Sequence, residues 1–104
     1  MSSVIPKVCL TLLAAPSVEE KLLDVLLEMV GDEVFTSVPT FSHGTSHGRL
    51  SSVEQVLGRS AAVQVQILVT EEGMNPLLER LRAEFRCTGL RYWASALTTE
   101  GEMA

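Results

Sequence analysis

Residues 62–70 constrain this chain more than any other stretch. Val63, Val65, Ile67 and Val69 alternate with Gln64, Gln66 and Leu68. A period of two over nine residues is the signature of a β-strand with one face buried. The other segments line up around it. Val4 to Leu13 is aliphatic and β-branched over a strand's length, with Pro6 confining its start to a strand end or edge. Val34 to Ser42 reads as a second strand, with Pro39 placing it at an edge or a bend. Leu90 to Leu97 reads as a last strand, with Leu90, Tyr92, Ala94 and Ala96 on one face and Arg91, Trp93, Ser95 and Leu97 on the other.

Two stretches carry the helical period instead. After Pro16, Ser17 and Glu20 have the spacing of a capping box. Val18, Leu22, Leu26 and Met29 then recur every three or four residues, widened by Leu23, Leu27 and Val30, and Gly31 is placed to end the helix. A second helix is expected from Asn75-Pro76, a good N-cap followed by proline at the first helical position. Its stripe is Leu77, Leu78, Leu81 and Phe85, and Gly89 lies beyond its end. The order is β-α-β-β-α-β, the split βαβ arrangement of an α+β, ferredoxin-like sandwich. Two helices should cover one face of a four-stranded antiparallel sheet. The other face would carry Thr11, Leu13, Gln66, Leu68, Trp93 and Leu97, a set too apolar to stay wet, so oligomerisation is expected to cover it.

A chain of 104 residues accommodates one domain, read here as residues 1–104 with a polar, flexible tail over 98–104. The mean hydropathy of +0.25 fits a surface shared with other copies. A net charge of −5 argues against a nucleic-acid surface. Cys9 and Cys87 are too few for a disulfide framework and lack C-x-x-C spacing, so they read as small, mostly buried thiols. Lys7 followed by the apolar run Val8 to Ala15 superficially resembles a secretory signal, but the run is short and doubles as the first strand. The chain is expected to be cytoplasmic, with no segment of about 18 apolar residues to insert in a membrane.

About eighteen residues, His43 to Ser60, separate the second and third strands, where a hairpin needs only two to five. Loops this long inside a compact domain are usually functional or disordered. This one opens with His43-Gly44-Thr45-Ser46-His47-Gly48, and Ser51-Ser52-Val53-Glu54 then reads as a further capping box. His43 and His47 can orient the loop by hydrogen bonding, or they can bind a transition metal completed by a carboxylate or a second subunit. Gly58-Arg59 closes the loop, and Arg86, Gly89 and Arg91 flank the start of the last strand. Arginine suits bidentate binding of phosphate or carboxylate, so these two places could share an anion between subunits. Arg80 and Arg82 sit on the helix and read as surface ion pairs. No nucleophile–base pair is readable, so an enzyme is not expected.

These features together resemble the PII signalling superfamily, with the CutA proteins as a sister group. Cys9-Leu10-Thr11-Leu12, Phe35-Thr36-Ser37, His43-Gly44-x-x-His47-Gly48, Val56-x-Gly58-Arg59 and Gly89-Leu90-Arg91-Tyr92-Trp93 resemble more closely a family of small PII-like proteins. The likeness spans roughly residues 7 to 97. It implies a cytoplasmic homotrimer with ligand clefts between subunits and a partner-binding loop after the second strand. It also implies a heavy-metal efflux transporter as a candidate protein partner. The glycine-rich Gly-Asp-Gly-Lys segment by which PII proteins hold ATP or ADP is replaced here by Arg86-Cys87-Thr88-Gly89. An adenine nucleotide is therefore the weaker expectation. Similarity to CutA implies divalent-cation tolerance, and imidazole suits copper, zinc or nickel. The expected function is a PII-like sensor that binds a small ligand or metal at subunit clefts and signals through residues 43–60. The alternative is a CutA-like metal-binding protein.

Overall fold

The computed structural model describes residues 6–31, 33–44 and 59–103. Among them run β1 (Lys7–Ala14), a 3-10 turn (Pro16–Val18), α1 (Glu19–Val30), β2 (Phe35–Ser42), β3 (Ser60–Thr70), α2 (Glu71–Glu84) and β4 (Arg91–Ala96). The strands form one antiparallel sheet in the order β2-β3-β1-β4. This is the expected ferredoxin-like α+β architecture. Pro39 lies on β2, an edge strand, where its missing N–H costs least. No helix among the described residues is long and apolar enough to cross a membrane.

The core lies between the sheet and both helices. Val8, Leu10, Leu12 and Ala14 of β1 and Val63, Val65, Ile67 and Val69 of β3 meet Leu22, Val25 and Leu26 of α1. Leu77, Leu78 and Leu81 of α2, with Phe85 just beyond it, complete the cluster. Each Val, Leu, Ile or Phe among them contributes about 1.5–3 kcal/mol when fully withdrawn from water. The apolar stripe of α1 is rotated from the expectation. Val25 is buried, whereas Leu27 and Met29 are exposed. One salt bridge joins the two helices, Arg80 to Glu28 at 2.9 Å, and Arg80 also pairs with Glu84 along its own helix. Both carboxylates hydrogen-bond the guanidinium and raise its pKa further above the ordinary arginine value.

Two helix starts differ from the expectation. The Ser17–Glu20 capping box does not form, because Pro16 to Val18 make a 3-10 turn and α1 begins at Glu19 without a side-chain cap. Gly31 does end α1, with φ +61. The second helix begins at Glu71, not at Asn75-Pro76. Thr70 ends β3 and caps α2 directly, its hydroxyl accepting from the Gly73 N–H at 2.9 Å. A β-carbon at position 73 would fall 2.9 Å from that hydroxyl, so a larger residue there would make the threonine side chain shift. The polar start Glu71-Glu72-Gly73 hid this first turn from a search for apolar periodicity.

The helix-free face carries the expected residues. Thr11 sits between Gln66 and Trp93 in register and is buried beneath them, and Gln66 Nε2 donates to its hydroxyl at 3.4 Å. Leu13, Leu68 and Leu97 are half-buried, and Trp93 is 45% exposed. Every residue of β4 is exposed.

Candidate functional site

The candidate site forms where β1 ends before its neighbours do. Ala14 pairs with Val63, yet β3 reaches back to Ser60 and stays paired with β2 as far as Ser42. The far side of this gap is the turn that joins α2 to β4. A cleft of about 770 Å³ results. Its walls include Leu13 and Ala14 of β1, Ser42 and His43 at the end of β2, Ser60 and Ala61, and Cys87, Gly89, Arg91 and Trp93. The cleft opens on the helix-free face, because Arg91 pairs with Leu13 and Trp93 with Thr11 on that side of the sheet.

The α2–β4 turn is built locally. Thr88 donates through both its N–H and its hydroxyl to the Phe85 carbonyl, at 3.3 Å and 2.7 Å, and Leu90 N–H donates back to the hydroxyl at 3.3 Å. The chain reverses through positive φ at Cys87 (+62) and Gly89 (+81). Glycine adopts this region freely, whereas cysteine does so at some cost. Cys87 is exposed on this turn, and the expectation of a buried thiol fails there. Cys9 is half-buried on β1.

The structure divides the expected site residues. His43, Gly89 and Arg91 line the one cleft. Arg86 does not; it lines a second cleft on the helix-covered face. Arg86 precedes the left-handed turn at Cys87 and Gly89 and Arg91 opens β4 beyond it, so the two arginines flank the turn and emerge on opposite faces of the sheet. Arg59 stands at the base of the long segment. Its guanidinium lies over the Phe41 ring at 4.1 Å, a cation–π contact, and its Nε is buried without a hydrogen-bond partner among the described residues. Beside it the Ser42 and Ser60 hydroxyls meet at 2.6 Å and close the β2–β3 ladder. His47, Gly58, Arg49 and the expected capping box at Ser51–Glu54 lie outside the described residues. Among those described, no three His, Cys, Asp or Glu side chains cluster to hold a metal. Cys87 and Trp93 are cleft residues that the sequence reading did not assign to the site. Trp93 was legible as the residue two beyond Arg91 on the same strand face.

The chain matches, over residues 4–104, the model of a family described as a protein of unknown function, DUF3240, and it belongs to that family. No curated protein matches the sequence. Among solved structures, a DUF3240 family protein from Shewanella baltica is similar at a TM-score of 0.77 and 17% identity, each chain covered completely. CPII from Thiomonas intermedia, a nitrogen regulatory PII-like protein solved with ADP, AMP and bicarbonate, is similar at 0.71 and 21% identity, over 94% of this chain and 97% of CPII. The periplasmic divalent cation tolerance protein CutA from Archaeoglobus fulgidus is similar at 0.68 and 12% identity, over 92% and 88%. The chain shares its fold with these PII-like and CutA structures.

Proposed function

We propose that this protein is a PII-like regulatory or sensor protein. A small anionic ligand binds the helix-free cleft, and the segment 43–60 carries the signal to a partner protein. The observation that carries this reading is the convergence of Arg91, Gly89 and His43 on one cleft at the mouth of that segment. The Arg91 side chain makes no hydrogen bond or ion pair among the described residues, so its guanidinium is available to a phosphate or carboxylate. A ligand that favours one arrangement of the segment shifts the population toward it. The exposed β4 and Trp93 support assembly with further copies, read here as a homotrimer whose neighbours complete the cleft.

CPII supports an adenine nucleotide as the first ligand to try, although the Gly-Asp-Gly-Lys segment is replaced here by Arg86-Cys87-Thr88-Gly89. Calorimetric titration with ADP, AMP and ATP tests this. Saturable binding is expected, and Arg91→Ala should weaken it about tenfold, the worth of one charge-assisted contact. A folded protein that takes up none of the three removes the nucleotide reading.

A second, CutA-like reading has its own observation. His43 and Cys87, an imidazole and a thiol, border the same cleft. Such donors suit copper, zinc or nickel, with His47 or a neighbouring subunit completing the set. Titration with Cu(II), Zn(II) and Ni(II) should give heat that His43→Ala abolishes. Absence of heat for all three metals ends this reading.

A further inference from the structure

The second cleft lies on the opposite face of the sheet from the site above, between the C-terminal half of α2 and β4. Its volume is about 640 Å³, within the range of small-molecule sites. It exists because α2 does not reach over β4. Tyr92 pairs with Leu12 and so faces the helix side, yet it stays 48% exposed. The floor is core. Leu12, Leu78, Leu81 and Phe85 are all buried, and each lends a surface to the cleft. Leu90 and Tyr92 form the strand-side wall.

The charged groups at this cleft are Arg82, Arg86 and Glu79. Arg82 donates to the Tyr92 hydroxyl at 3.2 Å. Arg86 makes no hydrogen bond or ion pair among the described residues. Two guanidiniums against one carboxylate leave the rim positive in a chain of net charge −5. The negative pole of α2 ends here and would repel an anion. Two of its last carbonyls, and that of Phe85 just beyond it, are engaged, however. Leu81 accepts from Phe85 N–H, Glu84 from Lys21 Nζ at 3.2 Å, and the Phe85 carbonyl from Thr88. Lys21 Nζ also stands 5.2 Å from the Phe85 ring and adds positive charge at that end.

We propose that this cleft binds a small amphipathic carboxylate. An aliphatic body lies against Leu78, Leu81 and Phe85, and the carboxylate meets Arg86, with Arg82 and Tyr92 alongside. An apolar floor with one free guanidinium at its rim favours that chemistry over a neutral or cationic amphiphile.

Octanoate, octanol and octylamine share one chain length and differ in head group, which makes them the probes. Calorimetry on the intact protein should show octanoate binding at least tenfold more tightly than either of the others. Arg86→Gln should remove about that tenfold preference while leaving octanol unchanged. ADP binding should be unaffected by Arg86→Gln, which separates this cleft from the one on the other face. Equal binding of octanoate and octanol overturns the proposal and leaves a plain apolar groove. So does no octanoate binding together with dissociation of the assembly by Arg86→Glu, since the groove would then be filled by a second copy.

Discussion

The two clefts share Cys87 and the turn around it but little else. On the helix-covered face the floor is hydrophobic core, and a ligand there would rest on the residues that hold the fold together. On the helix-free face the walls are strand ends and turns: His43, Ser60, Gly89 and Arg91. The same strand serves both, because Tyr92 points one way and Arg91 and Trp93 the other. A residue on the floor of the helix-side cleft cannot change without a cost in stability. The helix-free cleft can vary its side chains with less effect on folding.

The largest test of that difference is Leu81→Ala. Leu81 is 3% exposed and belongs to both the core and the helix-side cleft. Truncation should cost about 2–5 kcal/mol, read as a lower urea midpoint at unchanged slope. Trp93→Ala on the other face should cost less than Leu81→Ala, since Trp93 is 45% exposed. Equal losses would show that the helix-free face is as structural as the core.

An arginine exchange sharpens the contrast next. Arg91→Ala should weaken nucleotide binding about tenfold and leave octanoate alone, while Arg86→Ala should do the reverse. Each variant should keep the wild-type urea midpoint. Cross-effects between the clefts would mean that the shared turn couples them.

Much of the fold was legible because its signals are local. The alternation from Val63 to Val69 and the stripe from Leu77 to Phe85 each report burial from a few neighbouring residues, and both faces were assigned correctly. The errors came where a non-local or competing effect decided. Proline drew Pro16–Val18 into a 3-10 turn and displaced the capping box. A helix start made of Glu71, Glu72 and Gly73 carries no apolar pattern, although Thr70 before two acidic residues was a readable cap. Of the site, Arg91, Gly89 and His43 were legible and do converge. Arg86 was grouped with them because it and Arg91 flank the start of the last strand, and nearness in sequence does not decide which side of a turn a side chain leaves from. The exposure of Cys87 depends on which elements leave that turn uncovered, and no spacing in the chain encodes it.

The cap itself makes the next prediction. Thr70→Ala removes the acceptor for Gly73 N–H at the start of α2, the helix that walls the second cleft. The expected loss is about 1 kcal/mol by urea unfolding. Thr70→Ser should retain most of the stability, because it keeps the hydroxyl. If serine behaved like alanine, the methyl group rather than the cap would be responsible.

Lys7 should give the smallest effect, and it lies at the end of the sheet away from both clefts. Its ammonium is 3.2 Å from Glu33 and 3.6 Å from Glu100, joining the start of β1 to the loop before β2 and to the residues after β4. The hydrogen bond to Glu33 raises the lysine pKa above 10.5; partial burial opposes it, and the charges of Glu33 and Glu100 reinforce it. A folded-state pKa above the unfolded one means that the folded protein holds this proton more tightly. The resulting stability is fully present below the unfolded value, near 10.5, and is lost as the pH rises through the folded value. Wild type and Lys7→Met should therefore differ at pH 9 and converge above the folded lysine pKa. Comparing the two proteins at each pH cancels the contribution of every group that both carry. Added salt should shrink the difference at pH 9, because exposed pairs are screened. Binding in either cleft should not follow this titration through Lys7. A pH-dependent difference between wild type and Lys7→Met in octanoate affinity would show that the far end of β1 communicates with the turn at Cys87, and that the clefts are less separate than their walls suggest.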